Sequence, residues 1–235
     1  MVLALNEPSD LKNRPIRSFV LRQGRLTCAQ ERALQQLWPQ FGLEVSDSVV
    51  DLELLFARAA PVVLEIGFGN GDALARCALE DSARNHLGAE VHTPGVGHLL
   101  LTVEAQALTN VRVHRGDAVA LLTSQISAAS LSEIRVWFPD PWHKSRHNKR
   151  RLIQPDFVRL LASRLKPEGV LHLATDWQPY AEHMRSVLEA SAAFENIAGA
   201  QNFAERPQWR PLTRFEQRGQ RLGHGVWDLL YRRNA

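Results

Sequence analysis

Cysteine is nearly absent from this chain of 235 residues, with Cys28 and Cys77 alone. Two cysteines make no disulfide framework, so the fold must rest on a hydrophobic core. Each is read as a small buried hydrophobe rather than a reactive thiol. Long apolar runs are missing as well. None approaches the ~20 residues of a membrane-spanning helix, and no apolar segment follows a basic start at the N-terminus. The expectation is a soluble cytoplasmic protein, with no membrane partner and no obligate protein partner evident. There is no internal repeat and no low-complexity tract.

Acids are missing from two stretches. Leu11 to Leu26 carries Lys12, Arg14, Arg17, Arg22 and Arg25 with no acid, and Lys144 to Arg151 carries five cations with none. Arg206 to Arg233 holds seven arginines against Glu216 and Asp228, whereas Asp51 to Asp140 has eleven acids and six Lys or Arg. The net charge of +3 therefore hides an acidic middle between basic flanks. That arrangement suits a small cationic ligand in the middle and a polyanion at the rim.

The chain alternates strand and helix. Strands are expected at Val62–Ile66, His86–Glu90, Val111–Arg115, Ile134–Phe138, Gly169–Thr175 and Gly225–Tyr231, from β-branched and apolar runs. Helices are expected at Ala29–Leu37, Asp72–Leu79, Gly95–Ala107, Ala118–Leu122, Asp156–Leu165 and Pro179–Ala190, with a short helix or turn at Asp51–Phe56. Thr27 with Gln30 three residues on reads as a capping box. Pro39 is expected to limit the first helix. The fold class is α/β: a mostly parallel sheet covered on both faces. Residues 1–50 read as a basic extension and helix packed on the core, and 51–235 as the main domain. Ligands on such sheets bind at the carboxyl ends of the strands. Glu65, Glu90, Asp117, Asp140 and Asp176 all stand at or just past those ends.

Gly67-Phe-Gly69-Asn-Gly71 lets the backbone approach a ligand closely. A dinucleotide turn wants its third glycine at position 72, where Asp72 would oppose a pyrophosphate, and no Lys-Ser or Lys-Thr follows as in a P-loop. A cationic ligand without phosphates fits better, and S-adenosyl-L-methionine has that character. Glu65 would face its amino-acid and sulfonium end, Glu90 its ribose, and Asp117 its adenine amine. The plainer reading of Glu65 and Asp117 is helix capping.

The chain is organised around Ile134–Phe138 running into Pro139-Asp140-Pro141-Trp142 and then Lys144, Arg146, Lys149, Arg150 and Arg151. The prolines make a rigid turn at a strand end, with a carboxylate, an aromatic and a basic arm together. The plainer reading is a solvated turn with a charged tail. His143 and His147 stand four apart, but the cations between them and the lack of further ligands argue against a metal.

With these residues in hand, the chain resembles the bacterial tRNA (guanine-N7-)-methyltransferases from about Arg17 to Arg232. The resemblance is carried by Arg17 to Thr27, Leu64 to Gly71, Ala89 to His92, Phe138 to Arg151, Ala174 to Trp177, and Pro211 to Glu216 running into Arg221 to His224. It implies the class I methyltransferase fold, Rossmann-like, with a seven-stranded sheet whose last strand is antiparallel. It implies methyl transfer from S-adenosyl-L-methionine to N7 of the variable-loop guanosine of tRNA, position 46. By matching position, Glu65, Glu90, Asp117 and Asp140 would hold the cofactor with Gly67, Gly69 and Gly71, and Asp140 would be the catalytic residue. Lys144, Asp176 and Thr213, Arg214, Phe215 and Glu216 would bind substrate, with Arg146, His147, Asn148, Lys149, Arg150 and Arg151 against the RNA. Asn70 stands where the family usually has Met, and Arg214 where it has Lys.

Guanine N7 has a lone pair and no proton to lose, so its methylation calls for alignment and for a charge that favours a cationic product. Asp140 suits that role. Asp176 and Glu216, with Thr213, are candidates for guanine's donor edge, and Trp142 or Phe215 for stacking on the base. Two other functions compete. An exocyclic-amine methyltransferase would want a second proline directly after Asp140-Pro141, where Trp142 stands. A non-catalytic tRNA-binding protein would have no use for the glycine turn and its acids.

Overall fold

A computed structural model describes residues 18–19, 24–213, 216 and 225–235. Arg214, Phe215, most of the N-terminal basic stretch and the cations between 217 and 224 lie outside the described residues.

The helices are α1 (Cys28–Gln36), α2 (Trp38–Phe41), α3 (Leu52–Phe56), α4 (Asp72–Glu80), α5 (Thr93–Ala105), α6 (Ala118–Ser124), α7 (Pro155–Arg164) and α8 (Gln178–Glu189). The strands are β1 (Gly42–Leu43), β2 (Val62–Ile66), β3 (Asn85–Glu90), β4 (Val111–Arg115), β5 (Leu131–Trp137), β6 (Leu165–Thr175), β7 (Phe194–Asn196) and β8 (Trp227–Arg233). They form one sheet in the order β1-β4-β3-β2-β5-β6-β8-β7. The pairs from β1 to β6 are parallel, and β8 runs antiparallel to both neighbours.

The sheet thus has eight strands among the described residues, not seven, because β1 adds a two-residue edge beside β4. Pro39 also acts differently from expectation. It does not end the first helix, which stops at Gln36, but occupies the first turn of α2, where its missing N–H costs nothing. The Thr27–Gln30 capping box forms, with Thr27 Oγ1 accepting from Gln30 N at 3.2 Å and Gln30 Oε1 accepting from Thr27 N at 2.9 Å. Cys28, at the start of α1, is exposed rather than buried. Cys77 is buried, and burial pushes its thiol up to about 12, which keeps it protonated. Helix α1 sits on α5 through Arg32–Glu104 at 2.8 Å and Gln30 Nε2 on the Pro94 carbonyl at 3.0 Å.

One face of the sheet is hydrophobic from β3 to β8. Leu64, Ile134, Leu171, Leu173 and Leu229 point into a core closed by α6, α7 and α8. On the other face α1, α2, α4 and α5 cover β4, β3 and β2 with a second apolar cluster. Over β5, β6, β8 and the end of β2 that second face carries charge instead. Glu65, Glu133, Arg135, His172 and Asp228 are all buried there, because successive residues of a strand alternate between faces. Trp209 lies over Arg135 and His172, and Ala204 and Arg210 meet Asp228, so the segment Phe203 to Thr213 covers this part of the face. Arg135 Nε donates to Glu133 Oε1 at 2.6 Å, and its guanidinium lies 5.3 Å from the Trp137 ring centroid and 4.5 Å from that of Trp209. Among the described residues no helix is long and apolar enough to cross a membrane.

Candidate active site

The carboxyl ends of β2, β3, β4 and β5 open into a cavity of about 810 Å³ lined by Gly67, Glu90, Asp117, Asp140, Lys144 and His147, among others. A second cavity of about 610 Å³ adjoins it across Gly67, His92, Trp137 and Phe138, and is lined by Glu65, Gly69, Gly71 and Thr213. Both fall in the size range of small-molecule sites.

The glycine turn leaves β2 with Gly67 at φ 75° and Gly69 at φ 60°. These conformations strain any residue with a Cβ. A Cβ at either would meet no atom within 4 Å, so both face open space that a ligand can fill. Glu90 fixes this turn. Its Oε2 accepts from Gly69 N at 2.8 Å, and its Oε1 from Val91 N and His92 N at 2.7 and 2.9 Å. Charge-assisted bonds of this kind are short and strong. Asp117 caps α6 through Oδ1, accepting from Val119 N at 2.9 Å, and lines the cavity as well. Capping and ligand binding are therefore compatible at this residue, since a carboxylate has a second oxygen.

Glu65 is only 5% exposed, and its Oε2 has no hydrogen-bond partner among the described residues. Burial raises its pKa most, Arg135 pulls it down, and Glu133 and Glu90 push it up; the carboxyl stands at about 7. An orphaned buried carboxylate oxygen costs free energy until a cation or donor reaches it. The acidic set and the glycine cradle fit a ligand with a positive charge and no phosphate.

Asp140 is exposed at the tip of the turn after β5. Its neighbours two residues away on each side, Phe138 at φ 54° and Trp142 at φ 48°, are both in the left-handed region. Bulky residues avoid that region, at a cost of roughly 1–3 kcal/mol each. The turn is held there by named contacts. Phe138 N donates to the Ala174 carbonyl at 2.8 Å, and Trp142 Nε1 to the Ser18 carbonyl at 3.1 Å. The Arg150 guanidinium lies 3.9 Å from the Trp142 ring centroid, and His147 meets the same ring edge-on at 5.9 Å. Burial first, then Arg146, Arg150, Lys144 and Lys149, lowers the His147 pKa.

The basic arm divides into an outer and an inner part. Ser145–Arg150 forms a short 3-10 turn in which Arg146 and Lys149 are exposed, as is Lys144 just before it. Asn148 is half-buried and serves through its backbone, its carbonyl accepting from Gln154 Nε2 at 3.0 Å. Arg151 departs from expectation. It is buried, its Nε donates to the Pro141 carbonyl at 3.0 Å, and its guanidinium lies over Tyr180 at 4.9 Å. It braces the Asp140 turn from below and does not face solvent.

Glu216 departs in the same way. It is 1% exposed, and its oxygens accept from Arg210 Nη1 and Nη2 at 2.6 and 3.0 Å. Arg210, itself 0% exposed, also donates from Nη2 to Asp228 Oδ2 at 2.9 Å, and His172 Nε2 lies 2.7 Å from Asp228 Oδ1. The Glu216 carboxylate is thus engaged below the surface and does not present an edge to a base. Thr213 Oγ1 accepts from Glu216 N at 3.1 Å, which places Thr213 on the wall of the second cavity. Asp176 is half-buried at the end of β6 and lines neither cavity. Sequence reasoning gave no site role to Ser18 and Phe19, which wall the first cavity, or to Arg210, which ties the C-terminal segment to the sheet. Only the alternation of charge along β5 and β8 hinted at the buried layer.

The Methyltransf_4 family model, a methyltransferase family, matches residues 59–229. The chain is 55% identical to the tRNA (guanine-N(7)-)-methyltransferase of Xanthomonas campestris pv. campestris over 94% of its length and 85% of the relative's. It is 56% identical to that of Methylococcus capsulatus (94% and 95%) and 52% identical to that of Alcanivorax borkumensis (94% and 93%). In fold it is similar to a 16S rRNA methyltransferase, KamB, with TM-score 0.57 and 17% identity over 80% of this chain and 95% of that one. It is also similar to TrmN from Thermus thermophilus, with TM-score 0.52 and 18% identity over 77% and 46%. At those identities the likeness supports the α/β class I methyltransferase fold and nothing finer. Sequence and sheet agree, and the chain belongs to the tRNA (guanine-N7-)-methyltransferase family.

Proposed function

We propose that this protein methylates N7 of a guanosine in tRNA, the variable-loop guanosine at position 46, with S-adenosyl-L-methionine as donor. The observation that carries the reading is the juxtaposition of Asp140 with the acid-lined cavity and the exposed cations that follow it. Residues 1–50 then serve as a basic extension whose helix α1 packs on the catalytic unit, and the site operates in the cytoplasm, where tRNA is found.

When bound, the donor would supply a methyl group on a cationic sulfur, with the guanine N7 lone pair as its acceptor. Glu65 would receive its ammonium end on the unpartnered oxygen, Glu90, which keeps the glycine turn in shape, would stand beside the ribose, and Asp117 would offer its second oxygen to the adenine amine. No general base is required, because N7 has no proton to lose. Asp140 acts through its charge, which favours the cationic 7-methylguanine as it forms. Lys144, Arg146 and Lys149 meet the RNA backbone, with Asp176 and Thr213 on the substrate side. Nucleoside analysis of tRNA incubated with the protein and methyl-labelled cofactor is expected to place the label in 7-methylguanosine. Label in an exocyclic-amine product would replace this reading by the runner-up.

Glu65 gives the site a pH dependence. In the free protein its carboxyl is raised from 4.5 to about 7. Its contribution to folding is therefore complete below its ordinary value and is lost as pH rises through about 7. Cofactor binding has the opposite sign, because the ammonium needs the ionised form. Affinity is expected to weaken by up to about tenfold per pH unit below that value and to level off above it. Glu65→Gln should flatten the profile. Calorimetric titrations at several pH values decide it, and equal slopes for the two proteins would remove Glu65 from the cofactor.

A further inference from the structure

At the rim beside Asp140, two aromatic side chains stand open to solvent. Trp177 is 37% exposed, and His143 is exposed and lines the larger cavity. Their ring centroids are 4.4 Å apart at 89°, an edge-to-face pair. The pair joins the turn after β5 to the turn after β6, two adjacent parallel strands.

The backbone of Trp177 has a structural task, and its ring does not share it. The Trp177 carbonyl accepts from Tyr180 N and Ala181 N at 2.9 and 3.0 Å and so starts α8, and its N–H donates to Thr175 Oγ1 at 3.3 Å. The residues by which α8 is buried are Tyr180, Ala181, Met184 and Leu188. An indole left outside a helix that packs without it is unexplained by folding. The other tryptophans near the site are engaged. Trp142 lies under Arg150 and donates to Ser18, and Trp137 is buried beside Arg135. Exposed Lys144 and Arg146 follow His143 directly. Aromatic faces interleaved with cations are the means by which proteins hold unpaired nucleotides.

We infer that His143 and Trp177 form a stacking platform for a nucleobase of the RNA next to the one presented to Asp140. This rests on the tRNA reading above and extends it. A base removed from its stack to expose N7 leaves its neighbour with an uncovered face, and the platform covers that face. Selectivity for sequence is not required, since every base has a π-face.

The test is tRNA binding by fluorescence anisotropy across a salt series, for wild type, Trp177→Ala, Trp177→Phe and His143→Ala, with cofactor affinity measured by calorimetry alongside. Trp177→Ala is expected to weaken tRNA binding about tenfold or more, and His143→Ala by a smaller factor. Trp177→Phe should recover most of the loss. The slope of log affinity against log salt should not change, because no phosphate contact is removed, and cofactor affinity should stay at the wild-type value. Wild-type tRNA affinity in Trp177→Ala would overturn the platform. So would a flattened salt slope, since the ring would then act only by arranging the nearby cations. Failure of the wild-type protein to bind tRNA would overturn both this inference and the tRNA reading on which it rests.

Discussion

Asp140→Asn is expected to lower the turnover number about a hundredfold, the scale seen when one preorganised electrostatic group is removed from a reacting centre. Affinity for tRNA should change by less than about threefold, because the amide keeps the shape of the side chain and the cations that meet the RNA backbone lie elsewhere. The turn should also persist. It is set by Pro139 and Pro141, by the left-handed Phe138 and Trp142, and by Arg151 on the Pro141 carbonyl. The Asp140 side chain makes none of those contacts. Single-turnover methyl transfer with saturating tRNA separates the chemical step from binding. Turnover at the wild-type rate would reduce Asp140 to a turn residue and leave the developing charge on guanine without a counter-charge in this site.

The second large effect concerns stability. Arg210→Ala is expected to lower the free energy of unfolding by about 3–5 kcal/mol, the usual loss when one partner is taken from a buried ion pair. Arg210 is 0% exposed and stands between Glu216 and Asp228, which are 1% and 2% exposed. Without it two carboxylates face each other in the interior, with the Arg206 guanidinium as the remaining nearby cation. Asp228 would still have His172, whose pKa burial lowers most, with Asp228 working against that shift. Glu216 would retain only Arg206 Nε, 4.0 Å away. Urea unfolding of the variant and wild type, checked for equal slopes, measures the difference. A loss below about 1 kcal/mol, the range of an exposed pair, would mean that Glu216 is free to reach substrate after all.

Much of the site was readable because its acids stand at strand ends, and the strands from Val62 to Thr175 announce themselves by apolar runs. Glu65, Glu90, Asp117 and Asp140 come to adjoining cavities for that reason alone. What stayed hidden was direction. Arg151 ends a run of cations, and Glu216 ends a Thr-x-Phe-Glu block; nothing in either string says that the side chain turns inward. The inward turn depends on Tyr180 and Arg210, one 29 residues downstream of Arg151 and the other before Glu216 in the segment covering the sheet. The charged layer over β5, β6 and β8 was illegible for a related reason. Glu133 and Arg135 alternate as a solvent-facing strand would, and it takes distant residues, Arg84 on Glu133 and Trp209 over Arg135, to make that face interior. The strands β1 and β7, of two and three residues, are too short to leave a periodic signal.

The paired left-handed aromatics have a consequence for how this protein can change. Phe138 and Trp142 occupy conformations that glycine adopts freely, so the ground state of the turn is raised by the very residues that shape it. A population selected for heat resistance alone would drift toward glycine at these two positions, relaxing the backbone. It would lose the Trp142 ring that Arg150 covers and the indole N–H that ties down Ser18 at the cavity mouth. Around Asp140, thermal robustness and catalytic competence are opposing directions of evolution.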